Sequence, residues 1–252
     1  MRELLEAVAA GEVTPAEAEA RLSGYATTGA GRFDAAREER RGIPEAILAE
    51  GKTAAEVADI AATAVETTGR VLVTRADDEA AAAVHDRLPD DARVERDGRA
   101  RTVLAYAAGV DPPSVDATVA TVAAGTADAA AAGEAAVTVQ AAGPRVERID
   151  DVGVAHLGRV LDHLDELRGA DAAIVAAGRE GALPTVVAGL VDTPVIGLPV
   201  STGYGHGGNG EAALAGMLQS CTVLSVVNVD AGFVAGGQAA LIARAVAGER
   251  SG

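Results

Sequence analysis

Ala172-Ala173-Ile174-Val175-Ala176, followed by Gly178-Arg179-Glu180-Gly181, reads as an apolar strand running without a polar residue into a glycine-bounded turn. Four further segments repeat that grammar: Thr118 to Ala123, Val146 to Ile149, Val195 to Leu198 and Val223 to Val229, with helical stretches between them. Continuous apolar strands alternating with helices predict a parallel sheet covered on both faces, because each crossover must carry the chain back over one face. The expected fold class is therefore α/β, with a doubly wound sheet. Ligands of such sheets bind beyond the carboxyl ends of the strands, where loops and helix starts present backbone N–H groups. Ala124-Gly125-Thr126-Ala127-Asp128 follows the first strand, Gly178 to Gly181 the third, and the glycine-rich stretch Pro199 to Asn209 the fourth.

Upstream the pattern is less regular. Thr14-Pro15-Ala16-Glu17 and Thr53-Ala54-Ala55-Glu56 are capping boxes, so helices are expected after Thr14 and from Thr53 to about Glu66. Ile43 to Ala49 reads as extended. From Val71 come a strand, a helix over Asp77 to Leu88 and extended pieces around Val94 and Val103, too little for a complete sheet alone, with a domain wall expected at Thr67 to Arg70. Asp111-Pro112-Pro113 then punctuates the chain before the regular part begins. The expected organisation is a smaller N-terminal α+β domain over 1–113 and a doubly wound domain over 114–252.

The 252 residues carry 37 Asp and Glu against 21 Lys and Arg, a formal net charge of −16. Such a surface repels a phosphate backbone, which argues against nucleic acid as a partner. Hydrophobic residues supply 49% of the chain and aromatics only 2%, so the core must be built from Val, Leu, Ile and Ala with backbones packed closely. No apolar run reaches the roughly 18 residues of a membrane span, and Met1 to Ala10 lack a signal-peptide apolar region. A cytoplasmic protein with no membrane association is expected. Lys52 is the single lysine, and all other basic residues are arginine; salt adaptation and a GC-biased genome explain that composition equally well. The sole cysteine, Cys221, excludes an intramolecular disulfide and a Cys-cluster metal site.

Several short motifs have both a bland and a chemical reading. Gly51-Lys52-Thr53 resembles the end of a nucleoside-triphosphate loop, but Ala46 stands where that motif needs glycine. Lys52 offers a compact ammonium where a guanidinium fork would not fit, and chance survival accounts for it as well. Cys221 lies between an apolar helix, Ala212 to Leu218, and the strand from Val223. A lone cysteine there reads first as a small buried hydrophobe and second as a nucleophile. Because that junction precedes a strand, a nucleophilic Cys221 would need a loop or a neighbouring subunit to complete its site. Glu180 opens a helix, where dipole capping and catalysis are equally good reasons for a carboxylate. His85 and His163 fall on polar helical faces, while His156 and His206 fall in loops that could line a site. No two histidines have metal-ligand spacing, so no metal site is expected. Neither Gly-x-Ser-x-Gly nor a dinucleotide glycine fingerprint occurs, which leaves Ser201 little claim as a nucleophile.

Larger blocks carry a family resemblance. Ala176 to Pro184, Pro194 to Pro199, Gly203-Tyr204-Gly205, Gly207-Gly208 and Met217-Leu218-Gln219-Ser220-Cys221 resemble the LarB family of nickel-pincer cofactor biosynthesis. The C-terminal half of that family is similar to the AIR carboxylase of purine biosynthesis, which implies a flavodoxin-like sheet. Asp34, Arg37, Arg40, Gly42, Pro44, Glu45, Gly51 and Lys52 agree in the N-terminal part, and Gly125-Thr126-Ala127-Asp128 after the first strand. The resemblance spans about Asp34 to Phe233. The chain departs from the family where Arg179 replaces a usual hydrophobic residue, where Ala231 and Val234 replace a usual Asn and Gly, and where Gly158-Arg159 replaces a usual His-Arg pair, His156 being the nearest histidine.

The resemblance implies a carboxylase and hydrolase, pyridinium-3,5-biscarboxylic acid mononucleotide synthase. Such an enzyme carboxylates the pyridinium ring of nicotinic acid adenine dinucleotide and splits the phosphoanhydride to release AMP. Carbon dioxide or bicarbonate would be co-substrate, with no tightly bound cofactor and with magnesium compatible. Cys221 would form a transient ring adduct, Glu180 would act as base, and Lys52, Arg40 and Arg37 would face the pyrophosphate and carboxylates beside Asp34. Gly125, Thr126 and Asp128 would hold phosphate or ribose, with Gly178 beside Glu180 and the loop carrying Gly203, Tyr204, Gly205 and Gly207 near the ring. A homo-oligomer with sites shared between subunits is implied. Two other function classes compete: an AIR carboxylase or mutase, which needs no thiol, and a non-catalytic nucleotide-binding module.

Overall fold

The computed structural model describes residues 2–203 and 205–250. It divides into two compact units, Met1–Pro112 and Pro113–Gly252. In the first, α1 (Arg2–Ala9) and α2 (Pro15–Ser23) precede an antiparallel hairpin of β1 (Ala26–Thr28) and β2 (Gly31–Phe33). The short α3 (Arg37–Arg41) leads to β3 (Ala46–Leu48), α4 (Ala54–Thr68), β4 (Arg70–Thr74), α5 (Asp78–Arg87), β5 (Arg93–Asp97) and β6 (Thr102–Tyr106). These strands form one sheet in the order β3-β4-β6-β5, with β3 parallel to β4 and the other pairs antiparallel. The sheet that the strands after Val71 could not complete alone is completed by β3, out of the Ile43 to Ala49 stretch. Thr14 accepts from the Glu17 amide, and Thr53 and Glu56 make a full reciprocal box, which fixes the starts of α2 and α4. No domain wall stands at Thr67 to Arg70. Gly69, with φ of 75°, turns α4 back onto its own sheet, so that Val57, Ile60 and Ala64 pack with Val71, Val73 and Val103.

The second unit runs β7 (Val115–Ala123), α6 (Ala129–Ala142), β8 (Pro144–Ile149), a 3-10 turn (Val154–His156), α7 (Gly158–Leu161), α8 (Leu164–Gly169) and β9 (Ala172–Ala177). It continues through α9 (Ala182–Ala188), β10 (Val195–Pro199), α10 (Glu211–Leu218), β11 (Ser225–Val226) and α11 (Gly232–Arg250). All five strands are parallel, in the order β11-β10-β9-β7-β8. Numbered from the first strand of this unit, that is the flavodoxin-like 2-1-3-4-5 arrangement. Every residue of the central β9 is buried. Side chains alternating along β7, β9 and β10 feed two cores, one under α6 and α11 and the other under α8, α9 and α10.

Alanine burial removes little area per residue, so this core gains its cohesion from close backbone approach and many short dispersion contacts. At the α6–α11 crossing, a Cβ on Gly236 would stand 2.5 Å from the Ala135 carbonyl oxygen, and one on Gly232 would stand 2.6 Å from that of Ala131. Only glycine permits that spacing. The last strand is shorter than Val223 to Val229. Ser225 and Val226 alone pair with β10, and Val223 is 96% exposed. Among the described residues no helix is long and apolar enough to cross a membrane.

Candidate active site

The order of strands reverses between β7 and β9: the chain leaves β7 for β8 on one side and reaches β9 on the other. Crossovers diverge at such a point and leave a crevice beyond the carboxyl ends of the strands. A cleft of about 490 Å³ opens there, lined by the turns after β7 (Gly125, Asp128) and β9 (Gly178, Arg179, Glu180), by Gly153 and Val154, and by Thr202 and Gly203 after β10.

Asp128 ties these turns together. Its side chain is buried, its Oδ2 accepts from the Gly125 amide at 2.9 Å, and the carboxylate also accepts from the Gly178 amide and the Thr202 hydroxyl. Burial pushes its pKa above the ordinary carboxylate value, while the three hydrogen bonds oppose that shift. Glycines let the loops cross at this depth. A Cβ on Gly203 would lie 2.9 Å from the Arg179 nitrogen, and one on Gly153 would lie 2.8 Å from the Ala124 carbonyl oxygen. Behind Glu180, α10 presents Gly216, where a Cβ would overlap the Glu180 carbonyl oxygen, and Ala213, against which Gly181 sits with φ of 66°.

Of the expected site residues, Gly125, Asp128, Gly178, Glu180 and Gly203 line this one cleft. Thr126, Gly205 and Gly207 belong to the same loops but are not among its described lining, and Tyr204 lies outside the described residues. Glu180 precedes α9 rather than opening it, since Gly181 is the residue that caps the helix. The reading of Cys221 as a small buried hydrophobe fails. It is exposed, in the turn between α10 and the short edge strand β11. That turn lies toward the amino ends of the parallel strands. Thr222 approaches Gly189, which caps the end of α9 remote from Glu180. Within one chain Glu180 thus follows β9 and Cys221 precedes β11, and α10 touches the Glu180 carbonyl at Gly216, five residues before the thiol.

The N-terminal block forms its own charge cluster. Arg40 donates to both carboxylate oxygens of Asp34, at 2.6 and 2.5 Å, and Arg37 pairs with Glu45 at 3.1 Å. Burial raises the Glu45 pKa against the pull of Arg37. Two guanidiniums are thus matched by two carboxylates, so the positive charge expected of Arg37 and Arg40 is largely neutralised locally. Lys52 is exposed and donates to the Leu48 carbonyl oxygen at 2.7 Å. His156 and His206 are exposed in their loops, and Arg159 pairs with Asp151 at 3.1 Å.

Arg179 and Thr202 fall in the loops that the sequence singles out, Gly178 to Gly181 and Pro199 to Asn209, whereas Gly153 and Gly216, which also shape the cleft, were not anticipated. For Gly216 a signal existed, because an isolated glycine in an apolar helix marks a close packing contact. Gly153 carried none, since its neighbour, the Ala124 carbonyl, comes from a loop remote in sequence.

Comparison with known proteins agrees with this architecture. Residues 25–106 match the LarB/PurE-like N-terminal domain, and residues 155–251 match AIR carboxylase. An uncharacterized protein of Methanocaldococcus jannaschii is 34% identical over 224 residues, covering 84% of each chain. With both halves matched in order and the crevice at the expected strand ends, the chain belongs to the LarB family of carboxylase-type proteins, its C-terminal domain being AIR carboxylase-like.

Proposed function

We propose that this protein carboxylates the pyridinium ring of nicotinic acid adenine dinucleotide and hydrolyses its phosphoanhydride. The products are AMP and pyridinium-3,5-biscarboxylic acid mononucleotide, the latter for nickel-pincer cofactor synthesis. The observation that carries this reading is that the chain has both a carboxylate in the cleft, Glu180, and an exposed thiol, Cys221, in a family of carboxylase-type proteins. A pyridinium ring is electron-poor and cannot attack carbon dioxide. Addition of the Cys221 thiolate to the carbon para to nitrogen moves an electron pair onto the ring nitrogen and creates a dihydropyridine with enamine character. Its β-carbon attacks carbon dioxide derived from bicarbonate. Glu180 then takes the proton from that carbon, and expulsion of the thiolate restores the aromatic cation. Water cleaves the phosphoanhydride and AMP leaves.

Cys221 is not among the described lining of the cleft that holds Glu180, and in this reading the thiol of one copy acts in the cleft of another within a homo-oligomer. Gly125 and Gly178 present glycine backbone to phosphate or ribose in the cleft, and Lys52 supplies a cation from the N-terminal block. The match to AIR carboxylase favours a second reading, carboxylation of aminoimidazole ribonucleotide, whose electron-rich ring needs no thiol. Incubation with nicotinic acid adenine dinucleotide and ¹³C-bicarbonate, read by mass spectrometry, separates the two. The expected products are AMP and a mononucleotide bearing one labelled carboxyl; labelled carboxyaminoimidazole ribonucleotide from the purine substrate, with no AMP from the dinucleotide, would overturn the proposal.

A further inference from the structure

Arg179 holds a backbone conformation that its side chain disfavours. Its φ is 52°, in the left-handed region, where a bulky residue other than Asn or Asp is rare. The chain places glycine at many left-handed positions, Gly181 two residues later among them, yet here it keeps a guanidinium. Among the described residues two other arginines have positive φ, Arg75 and Arg101, and neither lines the cleft. Arg179 is the only cationic residue in the described lining, which otherwise carries the carboxylates of Asp128 and Glu180. Its backbone is wedged against Gly203, where any Cβ would collide with it, so the turn is fixed from both sides. Strain retained at such a point is a mark of function.

From this geometry we infer that Arg179 is a specificity-determining residue that recognises a carboxylate on the ring held beside Glu180. The inference rests on the reading of Glu180 as the base acting on that ring. Arg179 and Glu180 are neighbours in the turn after β9 and both line the cleft, which places a guanidinium in the same cavity as a ring whose proton Glu180 removes. A planar fork matches a carboxylate with two parallel hydrogen bonds and gains far less from a neutral carboxamide. The residue would thereby select nicotinic acid adenine dinucleotide over nicotinamide adenine dinucleotide, two ligands identical in both phosphates and both riboses.

Affinities for the two dinucleotides, measured by calorimetry on wild type, Arg179→Met and Arg179→Gly, test this. Wild type is expected to prefer the acid. Both variants should reduce that preference at least about tenfold, with the whole loss on the acid and the amide affinity unchanged. Arg179→Gly should also keep or raise the thermal midpoint, because glycine relieves the left-handed backbone, whereas a merely structural arginine would lower it. Equal losses on both ligands would assign Arg179 to the phosphates, and unchanged affinities would remove it from recognition; either result overturns the inference. Wild type that binds neither dinucleotide would instead overturn the proposed function, and the inference with it.

Discussion

At the scale of single residues, Cys221 and Glu180 carry distinguishable burdens. Cys221→Ser should abolish carboxylation and leave dinucleotide affinity nearly intact, because a neutral hydroxyl is a far weaker nucleophile than a thiolate. Glu180→Gln should also stop carboxylation but accumulate a thiol adduct, visible by intact-protein mass, since its step follows ring addition. Turnover by the serine variant would contradict the covalent route, and failure of the glutamine variant to bind dinucleotide would reduce Glu180 to a structural role. Lys52 has its own internal control, all other cations being arginine. Its ammonium is exposed and already donates to the Leu48 carbonyl, a bond that arginine can also make. If that bond were its purpose, Lys52→Arg would be kinetically silent. A compact charge facing a ligand predicts instead a loss of catalytic efficiency of at least about tenfold, ~1.4 kcal/mol, with thermal stability preserved.

At the scale of elements, the cleft depends on contacts between turns and helices. Gly216 lets α10 lie directly on the Glu180 carbonyl. Gly216→Ala should displace the turn after β9, cost about 1–3 kcal/mol in urea unfolding, and reduce carboxylation well beyond what that instability explains. Asp128 joins the turns after β7, β9 and β10, and burial raises its pKa in the native state. A raised native value means that the folded protein binds the proton more tightly than the unfolded chain. Its contribution to stability is therefore largest at low pH and falls as pH rises from about 4, the unfolded value, through the native one. Asp128→Asn cannot titrate, so unfolding free energies measured from pH 4 to 7 should show this decline in wild type and lack it in the variant; parallel curves would contradict the assignment. These contacts also explain what sequence could and could not reveal. Apolar runs such as Ala172 to Ala177 and the capping box at Thr53 are local signals, so strand order class and helix starts were legible. The partners of Asp128 come from three loops, and the extent of β11 depends on what β10 offers it, so neither has a local signature.

At the scale of the whole molecule, a net charge of −16 makes a polyanionic substrate dependent on local cations. Arg37 and Arg40 are matched to Glu45 and Asp34, and the cations assigned to ligand are Arg179 in the cleft and Lys52 in the N-terminal block. The resemblance of the two blocks to one family was readable from their motifs, and the place of Cys221 before a strand already required a loop or a neighbouring subunit to complete its site. That requirement makes a shared site the central claim. Chains carrying Cys221→Ser and chains carrying Glu180→Gln, each inactive alone, are to be unfolded, mixed in equal amounts, refolded together and assayed for AMP release and carboxylation. Random pairing across a two-fold interface, with one intact site per mixed pair, predicts recovery of about one quarter of wild-type activity. A mixture that forms mixed oligomers yet stays inactive would show that thiol and base must come from the same chain, and would contradict the account.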